Sequence, residues 1–402
     1  MDDSVGFEVP SYFLCPISMD IMKDPVTLPT GITYDRPSIE RWLFSDNNPT
    51  CPITKLPVSD LDDLTPNHTL RRLIQSWCTL NACYGVERIP TPKAPVSKSE
   101  ITRIIDGAGC SPETYSACLQ RLRSFAASNA TNRRCMAAAG AADFLVRCMI
   151  DDGPCSHEAL AVLHQLQLSD SSLRGLAKKF GPMLVDSLVR IMQIGTYESQ
   201  AYGLMLLKSI FEVVDPILIS SLKKEFFADI VQILNSRTPA KTVKIALKLM
   251  VQACPLGRNR FRAIETGAVQ ALIEILLECP ERRTCEMAMT MLEVLCQCAE
   301  GRAELLNHRG GIAVVSKRIL RVSPLVSDKA VRILLSIAQN MPSTSVVHEM
   351  METGAVMKLC LVLQVDGSSK TKEKAREILK LHAKSWRKSV CVPHYLISSF
   401  PL

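Results

Sequence analysis

The sequence predicts a mainly α chain in two parts: a small α/β module near the N-terminus and a right-handed α-solenoid behind it. Three observations carry this expectation. Residues 10–85 mix a short strand pattern, turn formers and two short helical stripes, whereas from residue 99 the pattern is nearly all helical. Within the second stretch a short apolar segment, typified by Gly-Ala-Val-Gln-Ala-Leu-Ile, recurs. Its opening residues are Gly140, Gly181, Glu225, Gly267, Gly310 and Gly354, at intervals of 41, 44, 42, 43 and 44.

In the module, Pro25-Val26-Thr27-Leu28 reads as a short strand before Gly31 turns the chain. Thr33 and Tyr34 lead into a first helix, with Asp35 as its N-cap, Pro37 in its first turn, and Ile39, Trp42 and Leu43 on one stripe. A second helix begins after Asn67 and is expected to place Leu70, Leu73, Ile74 and Trp77 on one face. Between them Ser45 to Pro57 is a loop carrying Cys51-Pro52-Ile53-Thr54. Residues 1–9 form an N-terminal tail, 10–85 the module, 86–98 a proline-containing linker, 99–390 the solenoid and 391–402 a C-terminal tail.

Each solenoid unit opens on an amphipathic helix, for example Val243, Ala246, Leu247 and Met250, followed by a turn such as Pro255–Asn259 and a further helix pair. A period near 42 residues made of two or three helices is the pattern of armadillo or HEAT repeats, in which no unit buries its apolar face without neighbours. Five or six stacked units are expected, with Ser111-Pro112 and a basic helix from Lys370 to Lys388 capping the ends.

The chain has 402 residues, 47% of them apolar, enough for sizeable cores. Its start, MDDSVGFEVP, lacks a basic and apolar leader, and no run of 18 apolar residues occurs. A soluble, cytoplasmic protein, nuclear access included, without an integral membrane segment is therefore expected. Sixteen cysteines include no CxxC pair and read as small buried apolar side chains. Residues 1–85 hold 6 Lys and Arg against 11 Asp and Glu, while the remainder holds 41 against 29. The basic excess is dispersed over helix faces without aromatic interleaving, so a solvated surface is read in preference to a nucleic-acid site. Phosphate-loop, HExxH and dinucleotide patterns are missing. His157 and His164, two helical turns apart, read as surface or satisfied core residues rather than as metal ligands.

The chemistry concentrates in the module. Cys15-Pro16-Ile17, a central helix and Cys51-Pro52-Ile53 resemble the two loops and helix of a RING domain. Yet residues 1–85 contain only Cys15, Cys51, Cys78, Cys83 and His68 as zinc ligands, too few for two tetrahedral sites. No metal or other cofactor is expected, and hydrogen bonds, charge pairs and packing must hold the loops. The order Tyr12 to Ser18, Met22-Lys23-Asp24-Pro25-Val26, Thr30 to Arg36, Ile39 to Leu43, Cys51 to Lys55 and Pro66 to Ile74 resembles the U-box. The segment from Trp77 to Lys98 and, more weakly, the repeats resemble plant U-box and armadillo-repeat ubiquitin-protein ligases, a subgroup associated with defence and stress signalling.

That resemblance implies a zinc-free, RING-like U-box followed by an armadillo solenoid. It implies that Ile17, Met19, Trp42 and Pro52 receive a ubiquitin-conjugating enzyme charged with ubiquitin, that Lys55 touches both, and that the repeats hold a protein substrate. No covalent catalytic residue is implied: the ligase restricts the thioester-linked ubiquitin to reactive poses near an acceptor lysine. A catalytically silent armadillo scaffold is the alternative. Cys15, Asp24, Pro25, Gly31, Tyr34, Asp35, Arg36 and Cys51 are assigned to the scaffold of the box. Thr65-Pro66 and Thr91-Pro92 are candidate proline-directed phosphorylation sites, alongside a plain reading as turn and linker residues. Self-association through the box is a further option.

Overall fold

The computed structural model describes residues 9–45, 48, 50–58, 64–91, 96–108, 112–236, 238–278 and 281–387. It divides into two compact units, residues 1–95 and 96–402.

The first unit is built on a three-stranded antiparallel sheet of order β2-β1-β3, from β1 (Pro25–Thr27), β2 (Thr33–Asp35) and β3 (Thr65–Pro66). Val26 pairs with Tyr34 on one side and Pro66 on the other. The hairpin between β1 and β2 turns at Gly31, whose φ of 82° favours glycine. Helix α1 (Arg36–Glu40) continues as a π-helical turn, Arg41–Ser45. Helix α2 (His68–Leu80) starts where predicted, with the Asn67 side chain accepting from the Leu70 amide at 3.0 Å.

Two expectations need correction. Asp35 occupies the N-cap position of α1 but does not cap it; its carboxylate faces backbone amides of the preceding loop instead. Leu73 is 53% exposed, and α2 buries Ile74 and Cys78 with Leu70 and Trp77 packed beside them. Position 73 therefore lies off the inward stripe, and 78 completes it at the i+4 spacing from 74. Past α2, Val86 and Ile89 of the expected linker pack on the same core, and Gln75 donates to the Ile89 carbonyl.

The second unit opens with α3 (Lys98–Asp106), capped by Ser97. Its Ile101 and Ile104 are buried and the helix packs on the two helices that close the first repeat. So α3, rather than Ser111-Pro112, covers that end; Ser111 lies outside the described residues. Six units follow. They are α4 (Pro112–Ser128), α5 (Ala130–Ala138) and α6 (Ala141–Ile150); α7 (Ser156–Gln165) and α8 (Asp170–Ile194); α9 (Tyr197–Phe211), α10 (Pro216–Ser220) and α11 (Lys224–Asn235); α12 (Ala240–Ala253), α13 (Asn259–Glu265) and α14 (Ala268–Glu278); α15 (Arg282–Leu295), α16 (Ala299–Asn307) and α17 (Gly311–Arg318); and α18 (Pro324–Asn340), α19 (Thr344–Glu352) and α20 (Ala355–Gln364). Helix α8 is broken at Gly181-Pro182, where Gly181 leaves helical geometry, so it counts as two.

The glycines that mark the period do physical work. Gly140, Gly267 and Gly354 have φ of 82°, 85° and 73° and turn the chain between the second and third helices of their units. One continuous core runs from Ile101 to Trp386. Arginines reach carbonyls one repeat away and tie neighbours together: Arg190 donates to the Met149 carbonyl at 3.1 Å, Arg262 to Leu222 at 2.6 Å and Arg318 to Leu276. The expected C-terminal basic helix is divided. Helix α21 (Ser369–Leu381) buries Ala375, Ile378 and Leu379 against the last repeat, the chain turns at His382, and α22 (Ala383–Arg387) follows. Lys388 lies outside the described residues.

Candidate functional site

The repeated tripeptide Cys-Pro-Ile produces the same loop twice. In the first loop the Cys15 amide donates to the Asp20 carbonyl and the Met19 amide to the Cys15 carbonyl, both at 2.8 Å. In the second the Cys51 amide donates to Leu56 and the Lys55 amide to Cys51, both at 2.9 Å. Each loop is closed by a single antiparallel bridge, Leu14 to Ile21 and Thr50 to Pro57. Met19 and Lys55 hold equivalent places and share a φ of 58°, an unusual conformation for residues with a Cβ. Two such residues in matching positions mark loops whose shape is imposed by the surrounding bonds.

Those bonds come from the strand and helix behind the loops. Asp35 Oδ1 accepts from the amides of Lys23 and Asp24, each at 2.8 Å, while the Asp35 amide donates to Cys15 Sγ at 3.3 Å. Arg36 Nε donates to Asp24 Oδ2 at 2.6 Å, and Glu40 and Arg71 extend the charge cluster at 3.8 and 3.7 Å. On the other side the Tyr34 hydroxyl, fully buried, lies 3.0 Å from Cys51 Sγ and accepts from the Ile53 amide at 3.3 Å. Each loop is thus pinned to β2 by one residue of the run Tyr34-Asp35, because successive strand residues point to opposite faces. Among the described residues no group of three or more His, Cys, Asp or Glu is placed to hold a metal ion.

The environment also sets the chemistry of these groups. Burial raises the Cys51 thiol, but hydroxyls of Thr30, Thr54 and Tyr34 and the Thr54 amide outweigh it and bring Cys51 down to about 6. Of these donors Tyr34 has the sound geometry; the Thr30 hydroxyl meets no partner at hydrogen-bonding geometry. Tyr34 itself is raised, first by burial and then by its bond to Cys51.

On the outer side, Ile17 is half-buried and packs on the core, Met19 is 69% exposed, and Pro52 is half-buried. Trp42 is half-buried, its Nε1 donating to the Thr50 carbonyl at 2.8 Å. The exposed Lys55 ammonium stands 5.5 Å from the centre of the Trp42 ring. Helix, second loop and basic side chain are therefore brought together at Trp42. Sequence reasoning passed over Ile53 and Leu56, which are 53% and 55% exposed. Ile53 was readable as the second-loop counterpart of Ile17 in the repeated tripeptide. Cys15 is fully buried and serves as an acceptor, and Pro25 pairs with Asp35 at the end of the sheet.

Thr65 is exposed in β3, opposite Thr27. Arg71, in the first turn of α2, is engaged by Asp24 and by His68 Nδ1 at 2.7 Å. The exposed Thr91 accepts from Gln75 at 3.1 Å. In the repeats, the His164 ring stacks on Tyr202 with centroids 4.4 Å apart, and burial lowers its pKa. Among the described residues no helix is long and apolar enough to cross a membrane.

Comparison with known proteins agrees with this geometry. Residues 9–82 match the U-box domain and residues 100–401 the family described as plant U-box protein ARM repeat region. The chain is 52% identical to the E3 ubiquitin-protein ligase PUB23 of Arabidopsis thaliana, covering 100% of this chain and 98% of that one. It is 49% identical to PUB22 of the same plant over the full length of both. Among solved structures, a chain from a study of the interaction between cadherin and beta-catenin superposes with a TM-score of 0.57 at 13% identity, covering 83% of this chain and 61% of that one. An engineered protein superposes at 0.50 and 19% identity, over 70% and 67%; both likenesses concern the fold. With its box pinned by Tyr34, Asp35 and Arg36 and its body built of three-helix repeats, the chain belongs to the plant U-box proteins with an ARM repeat region and is an E3 ubiquitin-protein ligase.

Proposed function

We propose that the box recruits a ubiquitin-conjugating enzyme charged with ubiquitin through Ile17, Met19, Trp42, Pro52 and Lys55, and promotes transfer to lysines of a protein held by the repeats. The observation that supports this most is the second loop held at Trp42, with Ile53 exposed and Lys55 poised over the indole, together with an equivalent first loop that exposes Met19. An aromatic anchor among apolar loop residues suits a small interface. The catalytic contribution is positional: the thioester stays on the conjugating enzyme's cysteine and the ligase limits the poses of ubiquitin. We place this activity in the cytoplasm and nucleus, in plant defence or stress signalling, with Thr65 and Thr91 as phosphorylation sites on exposed positions of the box unit.

The test is discharge of ubiquitin from a panel of charged conjugating enzymes to free lysine, with and without a strong zinc chelator. Discharge should accelerate and survive chelation, since hydrogen bonds and ion pairs hold both loops. Loss of discharge on chelation, with the activating and conjugating enzymes still competent, would overturn a zinc-free mechanism.

A further inference from the structure

Helices α7, α9, α12 and α15 and the start of α18 line a groove of about 920 Å³. Its lining falls into three rows, each row being one repeat position carried through successive units. The middle row is His164, Met205, Ile245 and Met287. On one side of it lie Lys208 and Lys248; on the other lie Lys241 and Arg283. In α12 the three rows are Lys241, Ile245 and Lys248, spaced i, i+4 and i+7, which puts all three on one helix face. An apolar rail therefore runs between two cationic rails.

The cations are only partly neutralised. Lys208 and Lys248 share the single carboxylate of Glu212, at 3.6 and 2.6 Å. Lys244 is paired with Glu281 at 2.6 Å, and Glu286 is taken by Arg282 at 3.0 Å. Among the described residues Lys241 and Arg283 make no ion pair. Burial disfavours the charged form of His164.

We infer that this groove binds an extended acidic segment of the protein substrate, with apolar side chains on the middle rail and carboxylates reaching the rails on either side. The inference rests on the reading that the repeats hold the substrate, and it names the chemistry of what they hold. Helices packed ~8–10 Å apart and a polyproline II chain rising ~3.1 Å per residue with three residues per turn, so that every third side chain faces the same way, give roughly one apolar residue in three and about a dozen residues in all. Nucleic acid would also be drawn to the charge. The groove lining has no Phe, Tyr or Trp, and its one imidazole, His164, is already stacked on Tyr202, so successive bases find little to stack on besides the Arg283 guanidinium, while the apolar rail rewards side chains.

The test uses the full chain and four fluorescent probes: twelve-residue peptides (Leu-Glu-Asp)4, (Ser-Glu-Asp)4 and (Leu-Lys-Lys)4, and a twenty-nucleotide single strand. Anisotropy should show binding of the first, weakening as salt rises, and at least ten-fold weaker binding of the others. The double variant Lys248→Glu and Arg283→Glu should lose ten-fold or more for (Leu-Glu-Asp)4, and the milder Lys241→Gln should lose severalfold with unchanged circular dichroism. Absence of binding by the acidic apolar peptide, equal binding of the lysine peptide or the oligonucleotide, or indifference to these substitutions would overturn the inference. Ubiquitin discharge by the wild-type chain is measured in parallel. Discharge without peptide binding removes the groove inference alone, whereas peptide binding without discharge removes the reading of the box.

Discussion

The box and the solenoid solve the same problem, holding helices and turns in place, with opposite means. Among the described residues the box has fourteen buried apolar residues, from Phe13 to Ile89, too few to fix two protruding loops by packing. It relies on partly buried charge: Arg36 and Asp24 side chains are 10% and 15% exposed and bonded at 2.6 Å. In the solenoid the core is continuous across the repeats, and charge pairs lie largely on the surface one repeat apart, as in Lys223 to Asp186 at 2.6 Å and Lys244 to Glu281 at 2.6 Å. Surface pairs of that kind are worth little each. Similar side chains are thus structural necessities in one region and register marks in the other.

Arg36→Ala should break this contrast most sharply. It takes the 2.6 Å partner from Asp24, which keeps the looser pairing with Arg71 at 3.7 Å, and removes the Arg36 pairing of Glu40, a loss of up to about 3–5 kcal/mol, which is a large share of what a small domain has. The expected outcome is a box that melts at lower denaturant while the solenoid transition stays put, with ubiquitin discharge abolished. An unshifted first transition would show that packing alone holds the box. Leu272→Ala, in the solenoid core, should cost about 2–5 kcal/mol. Because repeats contact mainly their neighbours, hydrogen exchange should rise in adjacent units and leave the box and its discharge rate unchanged; a global loss of protection would refute the modular picture.

Both regions were largely legible in the sequence, for different reasons. The solenoid was read from period alone; at Gly140, Gly267 and Gly354 that period marks a left-handed turn that other residues adopt at a cost. The box was read from motifs, and its two loops from the repeated Cys-Pro-Ile. What escaped was the direction of side chains. Asp35 stands where an N-cap stands, yet its carboxylate serves the opposite loop; no local rule distinguishes these uses, because the competing amides of Lys23 and Asp24 are brought near only by the hairpin. Leu73 fits an apolar count but not the phase of the helix against its core. The rails of the groove were invisible until the helices were stacked.

Trp42 sharpens the comparison on the side of the box, where one residue serves both structure and surface. Trp42→Ala should lower discharge ten-fold or more, consistent with about 1–3 kcal/mol at a small interface. Trp42→Phe keeps most of the ring and loses only the bond to the Thr50 carbonyl, so it should fall between. Circular dichroism should barely move in either. Wild-type discharge by folded Trp42→Ala would assign the indole to the core.

The smallest effect is a difference in the sign of pH dependence. In the solenoid Asp229 is buried, 7% exposed, and burial raises its pKa from 3.8 to about 6; the bond from Gln193 at 2.9 Å opposes the shift and the nearby Glu225 adds to it. Its Oδ2 has no hydrogen-bond partner among the described residues. Between pH 4 and 6 the folded solenoid holds a proton that the unfolded chain has released, so its stability is greatest at the acid end and falls as pH rises through 6. Cys51 behaves in reverse. Its folded pKa of about 6 lies below the ordinary 9.0, so between pH 6 and 9 the unfolded chain holds the extra proton. Stability of the box should therefore rise over that window and be lost as pH falls through 6. Denaturation midpoints measured for the two transitions from pH 4 to 9 should slope in opposite directions. Asp229→Asn keeps an acceptor for Gln193 while removing the charge, and should flatten the first slope and stabilise the solenoid at neutral pH; Cys51→Ser should flatten the second. Slopes that persist in these variants would move both effects to other groups and erase this distinction between the regions.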